Sequence, residues 1–161
     1  MNITFAPRGI LQIDDARIIF KNFEGRGDQY NREGDRKFSL LIEDPNTADA
    51  LSEKGWNVRI KDSNDPDDLP FMRLPVKVKF TDYGPNVYLI TGDRRNELDE
   101  ESIACLDNID IESVNMDIRP YDWEVNGRTG RTAYLQSMEV IQRIDRFAAK
   151  YAAMDDERDP F

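Results

Sequence analysis

The strongest restriction on the fold is a repeated pattern of short β-type runs separated by turn residues. In residues 72–80 apolar side chains occupy every second position, and Arg73, Lys77 and Lys79 lie between them. Such alternation predicts a strand with one face in the core and the other in solvent. Comparable runs occupy residues 10–23, 37–42, 56–61, 87–91, 111–125 and 131–144.

Turn signals separate these runs at regular intervals. A predicted turn at residues 82–86 makes residues 87–91 the expected hairpin partner of residues 72–80. An Asn-Gly pair opens residues 126–130, and this pair is a strong signal for a tight turn between the last two long runs. About seven strands with this spacing and little helix predict a β-sandwich or a small β-barrel.

Helix signals are few. Residues 45–54 predict a short helix, because Asp44 suits the N-cap, Pro45 suits the first helical position and Gly55 suits the end. Residues 98–106 predict a second short helical connection.

These elements favour one compact domain with a terminal extension. Long strands joined by loops of unequal length favour a barrel over a sandwich. We therefore expect a mainly β fold, an OB-type β-barrel with one or two short helices, over residues 1–150. Residues 151–161 are expected to form a disordered acidic C-terminal tail.

The composition excludes several kinds of chemistry. The chain has one cysteine, Cys105, and no histidine, so a zinc site of the usual Cys/His kind is excluded and the commonest general base is absent. No run of about 18 apolar residues occurs, so we expect no membrane contact. A single cysteine cannot form an internal disulfide, which favours the reducing cytoplasm. Cys105 lies among apolar residues and is expected in the core.

Carboxylate clusters are the remaining candidates for catalysis. They occur at residues 14–15, 67–68 and 99–101, and paired acids can hold Mg²⁺. Adjacent acids on a strand point to opposite faces, and acids at a helix start are stabilised by the helix dipole. We therefore expect no enzyme, no catalytic residues, no metal and no cofactor.

Aromatic and basic residues are interleaved in two regions of the sequence. Single-stranded nucleic acid is bound by rings that stack on bases and by Arg and Lys that contact phosphates. Residues 119–134 and the loop after the first strand both supply this combination. The candidates are Phe23, Arg26, Tyr30, Arg32, Arg36, Lys37, Arg119, Tyr121, Trp123, Arg128, Arg131 and Tyr134.

The net charge of −10 opposes this interpretation, because phosphate contacts require cations. Residues 151–161 carry −3 of that charge, which leaves −7 on the rest of the chain. DNA would therefore have to bind a local basic stripe. Two alternatives remain open: an acidic protein-interaction module, such as a DNA mimic or inhibitor, and a structural phage protein that assembles into large oligomers.

The C-terminal tip is the most informative short segment. Met154-Asp155-Asp156-Glu157-Arg158-Asp159-Pro160-Phe161 resembles the acidic tip of bacterial single-stranded DNA-binding proteins, although Arg158 departs from an all-acidic run. The resemblance implies that the tip recruits replication or recombination proteins. A terminal ring with its α-carboxylate suits an apolar pocket with a basic rim. The expected contacts are Asp155, Asp156, Glu157, Asp159, Pro160 and Phe161.

A second resemblance covers more of the chain. Asp117-Ile118-Arg119-Pro120-Tyr121-Asp122-Trp123, the glycine-containing turn, and Gly130-Arg131-Thr132-Ala133-Tyr134-Leu135 are similar to phage-encoded single-stranded DNA-binding proteins, as are residues 16–23 and 37–40. The resemblance implies an OB fold, action in the host cytoplasm during phage replication or recombination, and no cofactor. It favours Phe23, Tyr30, Arg32, Tyr121, Trp123 and Tyr134 as DNA contacts. The sequence leaves open whether copies form a homo-oligomer.

Overall fold

A computed structural model describes residues 1–147, and most of its ordered elements are β-strands. The strands are β1 (Asn2–Phe5), β2 (Leu11–Ala16), β3 (Ile18–Asn22), β4 (Arg36–Ile42), β5 (Arg59–Lys61), β6 (Phe71–Val78), β7 (Asn86–Thr91), β8 (Arg94–Leu98), β9 (Ile111–Val125) and β10 (Arg128–Gln142). The helical elements are α1 (Pro45–Glu53) and two 3₁₀ turns at Pro7–Gly9 and Ile103–Asn108. The expected acidic tail at residues 151–161 lies outside the described residues.

The sheet follows the order β1-β2-β9-β10-β6-β4-β3, with β5 beside β6, and β7 and β8 beyond β10. β2 and β3 are consecutive in the chain, with only Arg17 between them. The route through the sheet from β2 by way of β9, β10, β6 and β4 to β3 therefore starts and finishes on neighbouring residues. No hydrogen-bonded strand pair closes the path within the described residues. A partly open barrel of this kind is the OB architecture, which confirms the predicted mainly β, OB-type fold.

Residues from the principal strands share one core. Phe38, Leu74, Ile118 and Leu135 are almost fully buried and belong to a single cluster that also includes Leu51 of α1. Burial of these side chains on one face of each strand is the main favourable term in folding. Within residues 1–147, no helix combines the length and the apolar character needed to cross a bilayer.

Local signals in the sequence predict several elements correctly. The carboxylate of Asp44 accepts a hydrogen bond of 2.9 Å from the Asn46 amide, and Pro45 is the first residue of α1. Asn126 and Gly127 both have positive φ, 52° and 76°, as a two-residue hairpin turn requires. The turn is shorter than expected, because β10 already begins at Arg128.

The predicted pairing of residues 72–80 with residues 87–91 is wrong. β7 pairs in parallel with β10 at residues 137–141, and β6 pairs in parallel with β10 at residues 133–134. β6 and β7 therefore lie one after the other along the same edge of β10. Tyr83, in the turn between β6 and β7, is 96% exposed.

Other differences arise from irregular backbone. The run at residues 10–23 is divided into β2 and β3, and Asp15 and Phe20 have positive φ at the irregularities. The predicted helix at residues 98–106 is instead the end of β8 followed by a 3₁₀ turn. The segments that form β1 and β8 carry no clear alternation, so the sequence pattern does not predict them.

Candidate nucleic-acid interface

One row of side chains crosses four neighbouring strands. Lys37 on β4 is in register with Lys77 on β6, Lys77 is in register with Tyr134 on β10, and Tyr134 is in register with Arg119 on β9. We call these four residues the cross-strand row. Residues in register on adjacent strands have side chains on the same face of the sheet. The row therefore places the Tyr134 ring between Lys77 and Arg119, with Lys37 on the far side of Lys77.

The core residues beside the row fix the face it occupies. Phe38, Val76 and Ala133 are buried and are immediate chain neighbours of Lys37, Lys77 and Tyr134. Successive side chains of a strand alternate between faces, so the cross-strand row points away from the core.

A groove of about 620 Å³ lies over β4 and β6 at this row. We call it the basic groove. Its lining includes five basic and two acidic residues, a net formal charge of +3 on a chain whose total is −10. It is lined by Tyr30, Asn31, Arg32, Gly34, Asp35, Arg36, Lys37, Lys77, Val78, Lys79, Phe80, Glu100 and Tyr134.

The loop between β3 and β4 forms one wall of the basic groove. Asn31 is almost buried, and its side-chain amide donates to the carbonyl oxygens of Arg26 at 2.7 Å and Asp35 at 3.1 Å. The Asn22 side chain accepts from the Arg26 amide at 2.9 Å. These bonds hold the loop in one shape, which fixes the position of Tyr30, whose ring is 84% exposed.

Arg36 lies at the edge of the groove with an acidic neighbour. Its Nη1 is 3.4 Å from Glu100 Oε1, and its guanidinium carbon is 5.8 Å from the centre of the Phe80 ring. The Arg36 side chain is largely buried, and its Nε is a buried nitrogen without a hydrogen-bond partner among the residues that the structure describes. The guanidinium is thus held against Phe80 with limited motion.

The β9–β10 hairpin extends the aromatic surface beyond the groove. The rings of Tyr121 and Tyr134 are 6.0 Å apart in an edge-to-face arrangement, and the Arg119 guanidinium carbon is 5.0 Å from the centre of the Tyr134 ring. Trp123 is on the same face of β9, in register with Gly130. Tyr121 is 56% exposed and Trp123 37%, so both rings present surface to a ligand.

Arg131 has a structural partner on the opposite face of the hairpin. Its Nε donates to Asp122 Oδ1 at 2.7 Å and its Nη2 donates to Asp122 Oδ2 at 3.2 Å. The hydrogen bond from Arg131 lowers the pKa of Asp122. The guanidinium of Arg131 also lies 5.3 Å from the centre of the buried Trp56 ring. Through these contacts Arg131 stabilises the β9–β10 hairpin.

Phe23 requires a correction. Its side chain is 0% exposed and its ring packs on Phe38 with centroids 5.4 Å apart. The Asp107 carboxylate accepts a 2.8 Å hydrogen bond from the Phe23 amide, which holds this segment against the 3₁₀ turn. A ring in the core cannot stack on a base, so Phe23 is no longer a candidate DNA contact.

The other predicted residues separate into two groups. Tyr30, Arg32, Arg36, Lys37 and Tyr134 line the basic groove, and Arg119, Tyr121 and Trp123 continue from it. Arg26 lies outside the groove lining and pairs with Glu24 at 3.5 Å. Arg128 is exposed beside the hairpin turn, six residues and about 20 Å along the strand from Tyr134.

Several groove residues are not among the predicted contacts. Alternation identifies Lys77 and Lys79 as part of a basic stripe, but by itself it indicates only the solvent face of a strand. Phe80, which also lines the groove, ends the same run of alternating residues.

Among the groups considered for catalysis, Asp99 has a structural role and Cys105 differs from the expectation. Asp99 accepts hydrogen bonds from Ser102, which lower the pKa of its carboxyl. Cys105 is exposed and not in the core as expected, and desolvation together with Asp107 raises the pKa of its thiol. No group of three or more Cys, Asp or Glu residues within residues 1–147 could hold a metal ion.

The sequence matches the model of a known protein family. A protein-family model described as "Putative phage ssDNA-binding domain" matches residues 3–159. The chain belongs to this family. A search of curated protein sequences found no significant match.

Solved structures with similar folds come from the same class of phage protein. The C-terminally truncated single-stranded DNA-binding protein of bacteriophage Enc34 has a TM-score of 0.57 and 17% identity, over 89% of this chain and 91% of that one. The untruncated Enc34 protein gives 0.55 and 17%, over 92% and 94%. Its complex with ssDNA gives 0.53 and 18%, over 89% and 91%. These likenesses establish that this member of the phage ssDNA-binding domain family shares the Enc34 fold.

Proposed function

We propose that the chain binds single-stranded DNA along the basic groove and the adjoining β9–β10 hairpin. The observation that carries the proposal is the cross-strand row, in which three cations and the Tyr134 ring lie side by side on one outward face. Family membership and the likeness to a protein solved with ssDNA support the same function. In OB folds the face of the second and third barrel strands and the adjacent loops bind oligonucleotides. Along the sheet path β4 and β6 follow β3 and would correspond to these two strands.

Phosphates would contact the cations and bases would stack on the exposed rings. Four of the five groove cations form no ion pair with an acidic side chain of residues 1–147: Arg32, Lys37, Lys77 and Lys79. Stacking on Tyr30, Tyr121 or Trp123 contributes about 1–3 kcal/mol per base and tolerates any base, because every base has a π-face. Binding would therefore show little sequence preference and a strong dependence on salt.

A groove with a net charge of +3 also answers the objection raised by the overall charge. The acids lie mostly outside the groove, so DNA meets a local field whose sign differs from that of the whole chain. The acidic remainder would repel strands from other surfaces. This arrangement favours a single path for the strand over non-specific binding.

The wider role that we propose is the coating and protection of single strands during phage DNA replication or recombination, in the host cytoplasm. The acidic tip would recruit partner proteins, with Phe161 in an apolar pocket and Asp155, Asp156, Glu157, Asp159 and Pro160 beside it. The same acids could compete with DNA for the basic groove. This part of the proposal rests on the tip sequence.

Fluorescence polarization with labelled oligo(dT) and a duplex of equal length, over a salt series, tests the DNA-binding proposal. We expect salt-sensitive binding of the single strand and much weaker binding of the duplex. Equal binding of both, or no binding of oligo(dT) at low salt, would contradict the proposal. A chain that does not bind oligo(dT) at low salt would favour the alternative of an acidic protein-interaction module.

Deletion of residues 154–161 tests the role of the tip. We expect the shortened chain to bind oligo(dT) at least as tightly as the full chain and to lose capture of replication or recombination proteins. Phe161→Ala in the full chain is the matched variant, because it removes the ring and leaves the charge. Partner capture that survives both changes would refute recruitment by the tip.

A further inference from the structure

A second cluster of rings and cations lies on the outward face of β6, away from the basic groove. It contains Phe20, Arg59, Ile60, Lys61, Phe71 and Arg73, and we call it the distal patch. Phe71 and Arg73 have the same parity as Lys77 on β6, and the burial of alternate residues confirms that all three point outward. The distal patch and the cross-strand row therefore share one face of one strand, with Arg73 about 13 Å and Phe71 about 20 Å along β6 from Lys77.

The distal patch has the composition of a nucleic-acid surface. Its lining contains three basic residues and no acidic one. The rings of Phe20 and Phe71 are 5.9 Å apart and edge-to-face, and the guanidinium carbon of Arg73 lies 5.3 Å from the centre of the Phe20 ring. Exposed apolar rings cost free energy in water, so a cluster of them beside cations indicates a ligand surface.

Local backbone strain maintains the exposure of Phe20. Its φ is 53°, a region that bulky residues rarely adopt, and it lies at a break in the β3–β4 register between Ile19 and Asn22. A β-bulge redirects a side chain, and here it directs a ring that is 61% exposed toward Phe71. A structural role alone would not require an exposed ring at a strained position.

Arg73 connects the two surfaces. Its Nη1 donates to Ser39 Oγ at 2.8 Å, and Ser39 is in register with Pro75, which lies between Arg73 and Lys77 on the outward face. The outward face of β6 thus reads Phe71, Arg73, Pro75, Lys77, and no acid interrupts it. A polyanion bound at Lys77 can continue to Arg73 without meeting a carboxylate on this strand.

We propose that the distal patch is a second subsite for the same single strand and binds the nucleotides that continue beyond the basic groove. This inference rests on the proposed function. Bases stack on Phe20 and Phe71, and phosphates contact Arg59, Lys61 and Arg73. Occupancy of both subsites requires a strand long enough to span them.

The experiment compares two oligo(dT) lengths, about 6 and about 16 nucleotides, which lie near the two ends of the range of about 4–16 nucleotides for one OB fold. The full chain is measured beside two distal-patch variants, Phe71→Ala and the double substitution Arg59→Glu with Lys61→Glu. Arg59 and Lys61 are exposed on the short strand β5, so their replacement leaves the core intact. Thermal unfolding of each variant accompanies the binding curves.

Tyr88→Ala with Arg95→Ala is the matched control. Arg95 lies 4.0 Å from the centre of the Tyr88 ring, so the pair has the same chemistry as Arg73 over Phe20. Its cross-strand neighbours, Glu97 and Glu139, are acidic, and we expect no strand to bind there.

The full chain should bind the longer oligonucleotide more tightly than the shorter one. Each distal-patch variant should bind the longer oligonucleotide about tenfold more weakly and keep its affinity for the shorter one. The charge-reversal variant should also show a smaller slope of log affinity against log salt, by about 0.7 for each phosphate that it no longer binds. This change should occur with the longer oligonucleotide and not with the shorter one. The control should match the full chain at both lengths.

Two results would overturn the second subsite while leaving the groove proposal in place. One is unchanged affinity of both variants for the longer strand, and the other is an equal reduction of affinity at both lengths. Failure of the unaltered chain to bind either length would instead overturn the proposed function and the subsite with it.

Discussion

Glu100 Oε1 lies 3.4 Å from Arg36 Nη1 at the edge of the basic groove, where a phosphate oxygen would be expected to bind. The Glu100 side chain is exposed, so its attraction to Arg36 is worth at most about 1 kcal/mol. A bound strand would therefore displace the Glu100 carboxylate from Arg36 at little cost in free energy. If the carboxylate stayed in place, it would repel the nearest phosphate and weaken binding.

Glu100→Gln is accordingly expected to tighten binding of oligo(dT) by a factor of up to about five at low salt, because it removes the nearest negative charge from the groove. Polarization titrations at two salt concentrations measure the change. Glu53→Gln, at the end of α1, removes an equal charge outside the groove and serves as the control. Weaker binding by Glu100→Gln would indicate that Glu100 orients Arg36 for the ligand.

Lys77 is expected to contact a phosphate, because it is exposed at the centre of the cross-strand row between Lys37 and Tyr134. Lys77→Ala should reduce the slope of log affinity against log salt by about 0.7, the value for one contact to a single strand. The control is Arg143→Ala, an exposed cation nine residues beyond Tyr134. Equal slopes for Lys77→Ala and the unaltered chain would show that the strand takes another path.

Tyr134 is expected to act through its ring. Tyr134→Ala should weaken oligo(dT) binding by about 1–3 kcal/mol, whereas Tyr134→Phe should retain most of the affinity. The ring also contacts Tyr121 and Arg119, so part of the effect would come from the disordering of these neighbours. Equal weakening in both variants would assign the effect to the hydroxyl group and argue against stacking.

Local sequence signals predict those parts of the fold that depend on neighbouring residues. The cap of α1 at Asp44 and the hairpin turn at Asn126 involve partners only a few positions away. The pairing of β7 with β10 joins residues about fifty positions apart, and nothing in residues 87–91 specifies that partner. Its parallel orientation depends on where the preceding turn places the chain, which is a tertiary property.

The candidate site likewise combines features that the sequence predicts with features that depend on the tertiary structure. Alternation correctly predicts that Lys77 faces solvent, but only the strand register brings it beside Tyr134, 57 positions later. Phe23 is predicted as a DNA contact because basic residues follow it in the sequence, and only the packing of its ring on Phe38 shows that it belongs to the core.

The ion pair of Asp122 with Arg131 predicts a pH dependence of stability. Arg131 lowers the pKa of Asp122, so the pair stabilises the fold above the ordinary range of an Asp carboxyl, about 3.9, and the contribution is lost as pH falls through the lowered pKa. The Asp122 side chain is 64% exposed, so Asp122→Asn should cost no more than about 1 kcal/mol at neutral pH.

Urea unfolding at neutral pH and well below the carboxyl range measures this difference, which should disappear at the acidic pH. Asp62→Asn, in an exposed loop, is the control and should have little effect at either pH. A difference that persists in acid would mean that Asp122 acts through packing.

Phe23 and Tyr30 are both expected from the sequence to contact DNA, and the structure separates their roles. Phe23 is buried against Phe38, so Phe23→Ala should reduce the free energy of unfolding by about 3–5 kcal/mol through the cavity it leaves. Tyr30 is exposed, so Tyr30→Ala should change that free energy by less than about 0.5 kcal/mol. In binding measurements the order should reverse: Tyr30→Ala should weaken oligo(dT) binding, and folded Phe23→Ala at low temperature should retain it. Failure of folded Phe23→Ala to bind DNA would mean that the loop between β3 and β4, which begins at Phe23, depends on this core ring to hold Tyr30 beside the groove.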